Sequence, residues 1–117
     1  MVVPAPAVPE TVTVDDFKKI QFKIAVIMSA DVHPQADRLL VLKLDLGNGE
    51  TRQVVAGIRG SYEPSALVGK QVVIVANLKA ATIRGVESQG MVLATQSGEG
   101  LAVLTPDRPS QPGNPVQ

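Results

Sequence analysis

The sequence predicts a small closed all-β barrel of five short strands, with one brief helix between the third and fourth strands. Apolar and polar residues alternate over several short segments, as they do in half-buried strands. Turns that contain glycine or proline separate these segments at short intervals. The chain has 117 residues, which is enough for one domain with a single modest hydrophobic core.

The start of the chain is rich in proline, alanine and valine. We therefore expect residues 1–10 to be an extended linker, followed by one folded domain at residues 11–117. Thr13 and Asp16 have the spacing of a helix-capping box, with aspartate in place of the usual glutamate. This spacing favours a short helix through about Lys19, and a plain turn into the first strand is the alternative.

The first three strands form one continuous pattern. Ile20 to Ser29 alternates as a strand, and we assign Phe22, Ile24, Val26 and Met28 to one of its faces. Leucines at every second position from Leu40 to Leu46 give the clearest strand signal in the chain. The turn at residues 47–49 leads directly into residues 50–56, so the second and third strands should form a hairpin.

The second half of the chain supplies the helix and the remaining strands. A short helix is expected near residues 65–68, and the run at 72–76 is apolar on both faces, as in a central strand. Residues 91–95 and 101–104 complete the strands. This order matches the five-stranded Greek-key barrel called the OB-fold. Prolines spaced by three predict an extended, polyproline-like tail, namely Pro106, Pro109, Pro112 and Pro115.

Composition excludes several kinds of chemistry. There is no cysteine, and the single histidine, His33, stands beside Pro34 and is interpreted as a solvated loop residue. We therefore predict no catalytic residue, no metal site and no cofactor. No apolar run approaches the roughly 20 residues of a membrane span, and no signal peptide is recognisable, so we expect a cytoplasmic protein with no membrane partner.

Charge and aromatic content limit how nucleic acid could be bound. Net charge is zero, although the middle of the chain has a mild basic excess that permits a phosphate-binding face. Aromatic residues are only 3% of the chain. We place Phe22 in the core and Phe17 on a packing helix, which leaves Tyr62 as the spare ring. Stacking of several bases is therefore disfavoured, and any nucleic acid should be held as a folded shape.

The connection between the fourth and fifth strands reads NLKAATIRGVESQGM, from Asn77 to Met91. In an OB-fold this loop flanks the usual binding face. Lys79 and Arg84 supply cations, Asn77 and Ser88 supply neutral hydrogen bonds, and Gly85 and Gly90 permit positive φ or close backbone approach. A solvated loop whose glycines merely turn the chain is the alternative, and composition alone favours it.

The same residues resemble a known family. NLK at 77–79 and IRGVESQGM at 83–91 are similar to the signature of the tRNA-binding domain at the C-terminus of bacterial methionyl-tRNA synthetase. The segments DDFKKIQFKIAVI, ADRLLVLKLDLG and TRQVVAGIRGSYEP also resemble this family. The likeness extends from about Thr11 to Val116. Ala80 and Thr82 depart from it, because relatives often have proline and lysine at these positions.

The resemblance implies an OB-fold that binds tRNA by shape, as a homodimer, with no catalysis of its own. Its expected partners are tRNA, a second copy and the catalytic body of the synthetase, whose HIGH and KMSKS signatures are absent here. Lys79 and Arg84 are the expected RNA contacts, Asn77 and Ser88 should order the loop, and Met91 should be core. The remaining predicted contacts are Arg38 and Arg52.

Two alternatives remain open within the same fold. One is a peptide-binding chaperone, as in the secretion relatives of the family, and the other is a module that only dimerises. In the family, flanking segments help to form a two-fold interface. The resemblance therefore implies that the N-terminal segment and residues 101–116 form the dimer contact.

Overall fold

The computed structural model describes residues 10–117, so the predicted linker at 1–10 lies, apart from Glu10, outside the described residues. Within that range the chain forms two short helices and ten strands. Their bounds are α1 (Val14–Phe17), β1 (Phe22–Val32), β2 (Leu40–Asp45), β3 (Thr51–Ala56), α2 (Pro64–Leu67), β4 (Gln71–Val75), β5 (Ala81–Ile83), β6 (Val86–Ser88), β7 (Met91–Val92), β8 (Ala94–Ser97), β9 (Gly100–Val103) and β10 (Pro115–Val116).

The central strand, β1, organises the barrel. Its first half pairs with β4 and its second half with β2, so the order across the sheet is β3-β2-β1-β4-β7. A register shift between Ile27 and Ser29 marks a bulge, which bends the strand and increases its twist. The predicted all-β barrel of five strands is confirmed, with α2 at the predicted position between β3 and β4.

Side chains complete the barrel where β3 faces residues 87–90. The Gln53 N–H donates to Oε1 of Gln89 at 2.9 Å, and the Gln89 N–H donates to the Gln53 carbonyl at 2.7 Å. Ser88 is 4% exposed; its Oγ accepts from the Val55 N–H at 3.0 Å and donates to the Gly90 carbonyl at 3.2 Å. These bonds satisfy the free edge of β3 where β6 and β7 are too short to form a continuous ladder.

The core confirms the prediction for β2 and corrects the one for β1. Leu40, Leu42 and Leu44 are fully buried, as their alternation predicts. In β1, however, Ala25 and Ile27 are fully buried, Met28 is 44% exposed and Phe22 is only half-buried. The prediction that Phe22 lies in the core was therefore wrong, although Ile24 on the same face is 3% exposed and thus buried. Both faces of this strand are largely apolar, so alternation alone could not identify the inner one.

The predicted N-cap of the first short helix is confirmed. The Thr13 Oγ1 accepts from the Asp16 N–H at 3.0 Å, which favours α1 over the plain turn. Lys19 forms an ion pair with Asp16 at 3.1 Å. The Phe17 ring packs on Phe22, with ring centroids 5.5 Å apart.

The tail is more ordered than the proline spacing predicts. The Gly113 N–H donates to the Ile24 carbonyl at 2.7 Å, and β10 then pairs with the first residues of β1. The Ser110 N–H donates to Oε1 of Gln71 at 2.9 Å. The last residues are therefore part of the folded domain, because their backbone groups are paired with the barrel.

The segment from residue 77 to residue 91 contains a hairpin that the sequence analysis did not predict. Strands β5 and β6 pair antiparallel, with Ile83 opposite Val86. The two turn residues between them have positive φ, 52° at Arg84 and 88° at Gly85, as in a type I′ turn. The segment predicted as one strand at 91–95 is also divided, into β7 and β8, and β8 pairs with β9.

Replacing Gly90 should destabilise the barrel. Its φ is 150°, and a Cβ there would lie 2.8 Å from the Val75 carbonyl oxygen. We expect Gly90→Val to lower the free energy of unfolding by about 2–4 kcal/mol, through backbone strain and overpacking at the closing edge. Gly60→Val is the matched control, because Gly60 has no positive φ and a Cβ there would meet nothing within 4 Å. Urea unfolding of both variants gives the comparison, and equal midpoints would refute the prediction.

Candidate nucleic-acid interface

Two loops meet at one end of β2. The first loop joins β1 to β2, and the second is the β5–β6 hairpin. His33, which is 2% exposed, lies between them. Its Nδ1 accepts from the Gln35 N–H at 3.0 Å, and its Nε2 lies 3.1 Å from the Ile83 carbonyl oxygen. The interpretation of His33 as a solvated loop residue is therefore wrong, because the hairpin covers the imidazole.

Arg84 occupies the turn of the hairpin and is exposed. Its Nη2 donates to the Gln35 carbonyl at 3.2 Å. A guanidinium has five N–H donors in a fixed plane, so this single bond orients the group and leaves other donors available. The hairpin thus presents an oriented cation beside the β1–β2 loop.

Two further arginines lie at the same loop. Arg59 donates from Nη1 to the Asp37 carbonyl at 3.0 Å, and its backbone N–H lies 3.4 Å from the Arg38 carbonyl oxygen. Arg38 and Arg59 are both exposed. Arg38 was predicted from sequence, whereas Arg59 was missed; its signal was a cation between Gly57 and Gly60 in the turn after the third strand. The structure therefore brings together what we call the arginine cluster, namely Arg38, Arg59 and Arg84.

Lys79 lies two residues before β5 and is exposed. It borders a mostly apolar cavity of about 220 Å³. Other residues that line this cavity are Leu78, Ala81, Ile83 and Met91. Met91 is 50% exposed, so its predicted core position is wrong. Its side chain faces outward, because the short strand β7 directs it toward the hairpin and not toward the barrel interior.

One more exposed cation lies on the outer face of β2. Lys43, on β2, was missed by the sequence analysis; it is exposed and its Nζ donates to the side chain of Gln53 on the neighbouring strand. The sequence feature that could have identified Lys43 is a basic residue among alternating leucines, because the strand pattern places this position on the outer face.

Arg52 lies apart from the other predicted contacts. It pairs across the ladder with Leu44, whose side chain is fully buried, so Arg52 belongs to the inner face of β3. Its guanidinium lies 2.7 Å from the Glu50 carboxylate, and its side chain is 27% exposed. Within residues 10–117, by contrast, no salt bridge neutralises Lys79 or the arginine cluster.

Asn77 and Ser88 stabilise the backbone that surrounds the site. The Asn77 Oδ1 accepts from the Gln21 N–H at 2.8 Å, and its Nδ2 donates to the Lys19 carbonyl at 2.6 Å. Asn77 thereby fastens the start of β1 to the end of β4. Ser88 is engaged in closing the barrel. The hydrogen bonds of both side chains are therefore made to the protein backbone.

The three aromatic rings of the described residues all pack on other side chains, although Phe17 remains 46% exposed on the N-terminal helix. Phe17 packs on Phe22, and Tyr62 packs against the core while its hydroxyl accepts from the Val103 N–H at 3.1 Å. Tyr62 is thus not the spare ring that the sequence suggested. A surface of cations without stacking rings suits contacts to phosphates better than contacts to bases.

Residues 10–117 contain neither a cluster of metal-binding side chains nor a membrane-spanning helix. No group of histidine and acidic side chains there could hold a metal ion. None of the helices in that range is long and apolar enough to cross a bilayer.

Comparison with known proteins identifies relatives of the whole barrel. A model of the family described as "Putative tRNA binding domain" matches residues 22–115. The methionine–tRNA ligase of Thermococcus kodakarensis is 50% identical over 99 residues, which are 85% of this chain. The chain spans only 13% of the length of that ligase.

Solved structures share the fold over nearly all of the chain. A MetRS-related protein from Pyrococcus horikoshii superposes with a TM-score of 0.84 at 33% identity, covering 92% of this chain and 99% of that one. The CsaA chaperone protein from Picrophilus torridus also gives a TM-score of 0.84, at 26% identity, covering 92% of this chain and 100% of that one.

The family match fits the architecture of the molecule. It covers the barrel, the closing edge at residues 87–90 and the three segments that carry the arginine cluster, namely the β1–β2 loop, the turn after β3 and the β5–β6 hairpin. The matched region is a small, non-catalytic part of the ligase. The resemblance deduced from the sequence is confirmed: this chain belongs to the tRNA-binding domain family and is homologous to the C-terminal region of methionyl-tRNA synthetases.

Proposed function

We propose that this chain binds tRNA by shape, as the C-terminal appendix of a methionyl-tRNA synthetase. The observation that carries the proposal is the arginine cluster, whose cations have no acidic partner within the described residues. Guanidinium groups bind phosphate oxygens through paired hydrogen bonds. Because the aromatic rings are engaged elsewhere, the contacts fall on the RNA backbone and carry little base information.

The affinity of the isolated chain should be modest. Eleven basic residues are balanced by eleven acidic ones, so long-range attraction to RNA is weak. A module of this kind is effective when it is tethered to a catalytic body that already holds the same tRNA, because tethering raises the effective concentration. The proposed partners are therefore tRNA and the synthetase body, and the proposed location is the cytoplasm, where tRNA is aminoacylated.

A peptide-binding chaperone is the second candidate, and one observation favours it. The mostly apolar cavity beside Lys79 could accept an apolar side chain of an unfolded polypeptide, and a similar structure belongs to a CsaA chaperone protein. Filter binding of tRNA in competition with a reduced, unfolded polypeptide separates the two functions. Binding of neither would leave a module that only dimerises.

We also infer a homodimer, formed through the N-terminal helix and the tail. Apolar side chains are exposed there, with Val14 68%, Phe17 46% and Ile20 44% accessible. A groove of about 610 Å³ lies beside them and continues to Pro115 and Val116. A contiguous apolar surface is costly to leave in water, and a two-fold axis would cover it with its own copy.

The dimer prediction can be tested by a charge placed in this apolar surface. Light scattering at tens of micromolar should give about twice 12.3 kDa for the wild type. Ile20→Asp should shift the mass toward monomer, because an aspartate would be buried unpaired at the contact. Val68→Asp is the matched control, since Val68 is 52% exposed and lies at the end of α2. A monomeric wild type would disprove the proposal.

A point substitution suits this test better than truncation. Removal of the residues after Thr105 should also weaken the dimer. That truncation would, however, remove β10 and its pairing with β1, so loss of the dimer could reflect damage to the barrel.

The RNA contact can be tested by a salt titration of tRNA binding. Lys79→Ala and Arg84→Ala should each weaken binding to different tRNA sequences about equally. Each should also flatten the slope of log affinity against log salt by up to about 1 unit. Both variants should remain folded, because exposed charges contribute less than about 1 kcal/mol to stability.

Arg108→Ala is the matched control for this titration. Arg108 is exposed in the tail, and the tail packs on Gly47, at the opposite end of β2 from the β1–β2 loop. Its removal should change affinity and slope little. If the Lys79/Arg84 double variant kept the affinity and salt slope of a tRNA-binding wild type, the RNA site would lie elsewhere.

A further inference from the structure

We propose that His33 is a positioning residue for the RNA contact of Arg84, because it fixes the tip of the β5–β6 hairpin to the β1–β2 loop. The inference rests on the proposed tRNA-binding function. It assigns to a buried imidazole the task of holding an exposed cation in place before RNA arrives.

The hydrogen bonds define the tautomer of the imidazole. Because Nδ1 accepts from the Gln35 N–H, the ring hydrogen is on Nε2, which donates to the Ile83 carbonyl. Ile83 directly precedes Arg84, and Arg84 donates to the Gln35 carbonyl. Three bonds thus form a closed circuit through His33, Gln35 and the Ile83–Arg84 pair. The β1–β2 loop and the β5–β6 hairpin therefore hold each other in place.

The tip of the hairpin needs this support. Strands β5 and β6 form a separate two-stranded sheet with three residue pairs, and such a hairpin is at best marginally stable by itself. Its base is attached to β3 through Ser88 and through the Gln53 side chain, which donates to the Glu87 carbonyl. Among the side-chain hydrogen bonds of the described residues, only those from His33 and Arg84 fasten its tip to the barrel.

A fixed tip should improve binding by lowering an entropic cost. An arginine on a mobile hairpin must be ordered when it meets phosphate, and this ordering reduces affinity. The buried bond to Ile83 provides the ordering in the free protein. His33 would thus contribute to RNA affinity without touching RNA.

Two substitutions separate the two bonds of the imidazole. His33→Asn keeps an acceptor for the Gln35 N–H, as in an Asx-turn, but loses the donor to Ile83. His33→Gln places an amide N–H near the position of Nε2 and keeps that donor. We expect His33→Asn to speed amide hydrogen exchange in β5 and β6 by about 3- to 10-fold, the equivalent of one hydrogen bond. Exchange at Leu42 and Val54 should be unchanged, and His33→Gln should restore protection of the hairpin.

Binding of tRNA supplies a readout that a purely structural role would not affect. His33→Asn should weaken tRNA binding by about 3- to 10-fold, but should have no further effect when Arg84 is already alanine. An equal loss in both backgrounds would overturn the inference, because His33 would then not act through Arg84.

The two readouts keep this inference distinct from the proposed function. Hairpin exchange that is unchanged in His33→Asn, or not restored in a folded His33→Gln, would refute the positioning role and leave tRNA binding standing. A wild type that binds no tRNA would refute the proposed function, and with it any contribution of His33 to RNA affinity.

Discussion

The structure depends on the closing contact between β3 and residues 87–90. A small barrel must satisfy the backbone groups of its last edge strand. Here β7, the fifth strand of the barrel, has only two residues and is too short to do so by ladder pairing alone. Ser88 and the pair Gln53–Gln89 replace the missing bonds. Gly90 allows the backbone to approach β4 so closely that a Cβ would collide with the Val75 carbonyl. The polar side chains and the glycine of this segment are thus requirements of closure.

The position of the cations follows from that closure. Once residues 87–90 are fastened to β3, the hairpin that precedes them must project from the same end of the barrel as the β1–β2 loop. Arg84 then bonds to the carbonyl of Gln35, while Arg59 bonds to that of Asp37. Neutral carbonyl acceptors orient guanidinium groups without cancelling their charge. An acidic partner would orient them equally well but would neutralise their charge, as Glu50 does for Arg52.

The apolar surface at the N-terminus has a different physical basis. The tail adds β10 to β1 and leaves Pro115 and Val116 beside the exposed residues of α1. A four-residue helix without buried side chains has little stability of its own. Its apolar residues therefore suit an intermolecular contact better than an intramolecular one. In the proposed assembly, RNA binding and self-association use separate surfaces of one barrel.

Much of the fold could be predicted from the sequence, because its signals are local. The leucines from Leu40 to Leu46 specify a strand by their spacing, and the glycines of the 47–49 turn specify the hairpin. The capping residues of α1 and the resemblance at 77–91 are local in the same sense. The site was predicted only in part, since sequence could name Lys79, Arg84 and Arg38 as cations but not show which of them meet.

By itself, the sequence determined the order of the main barrel strands, the turn at residues 47–49, the helix between the third and fourth strands, and the family. Only the tertiary structure decided which face of β1 is inside, that Met91 is exposed, and that Arg59 joins Arg38. It also decided that His33 is buried, because its hydrogen-bond partner at Ile83 lies 50 residues away along the chain. The physical reason is the range of the interactions. Turn chemistry and alternation act between neighbours, whereas burial and hydrogen bonds between loops exist only after the barrel has closed.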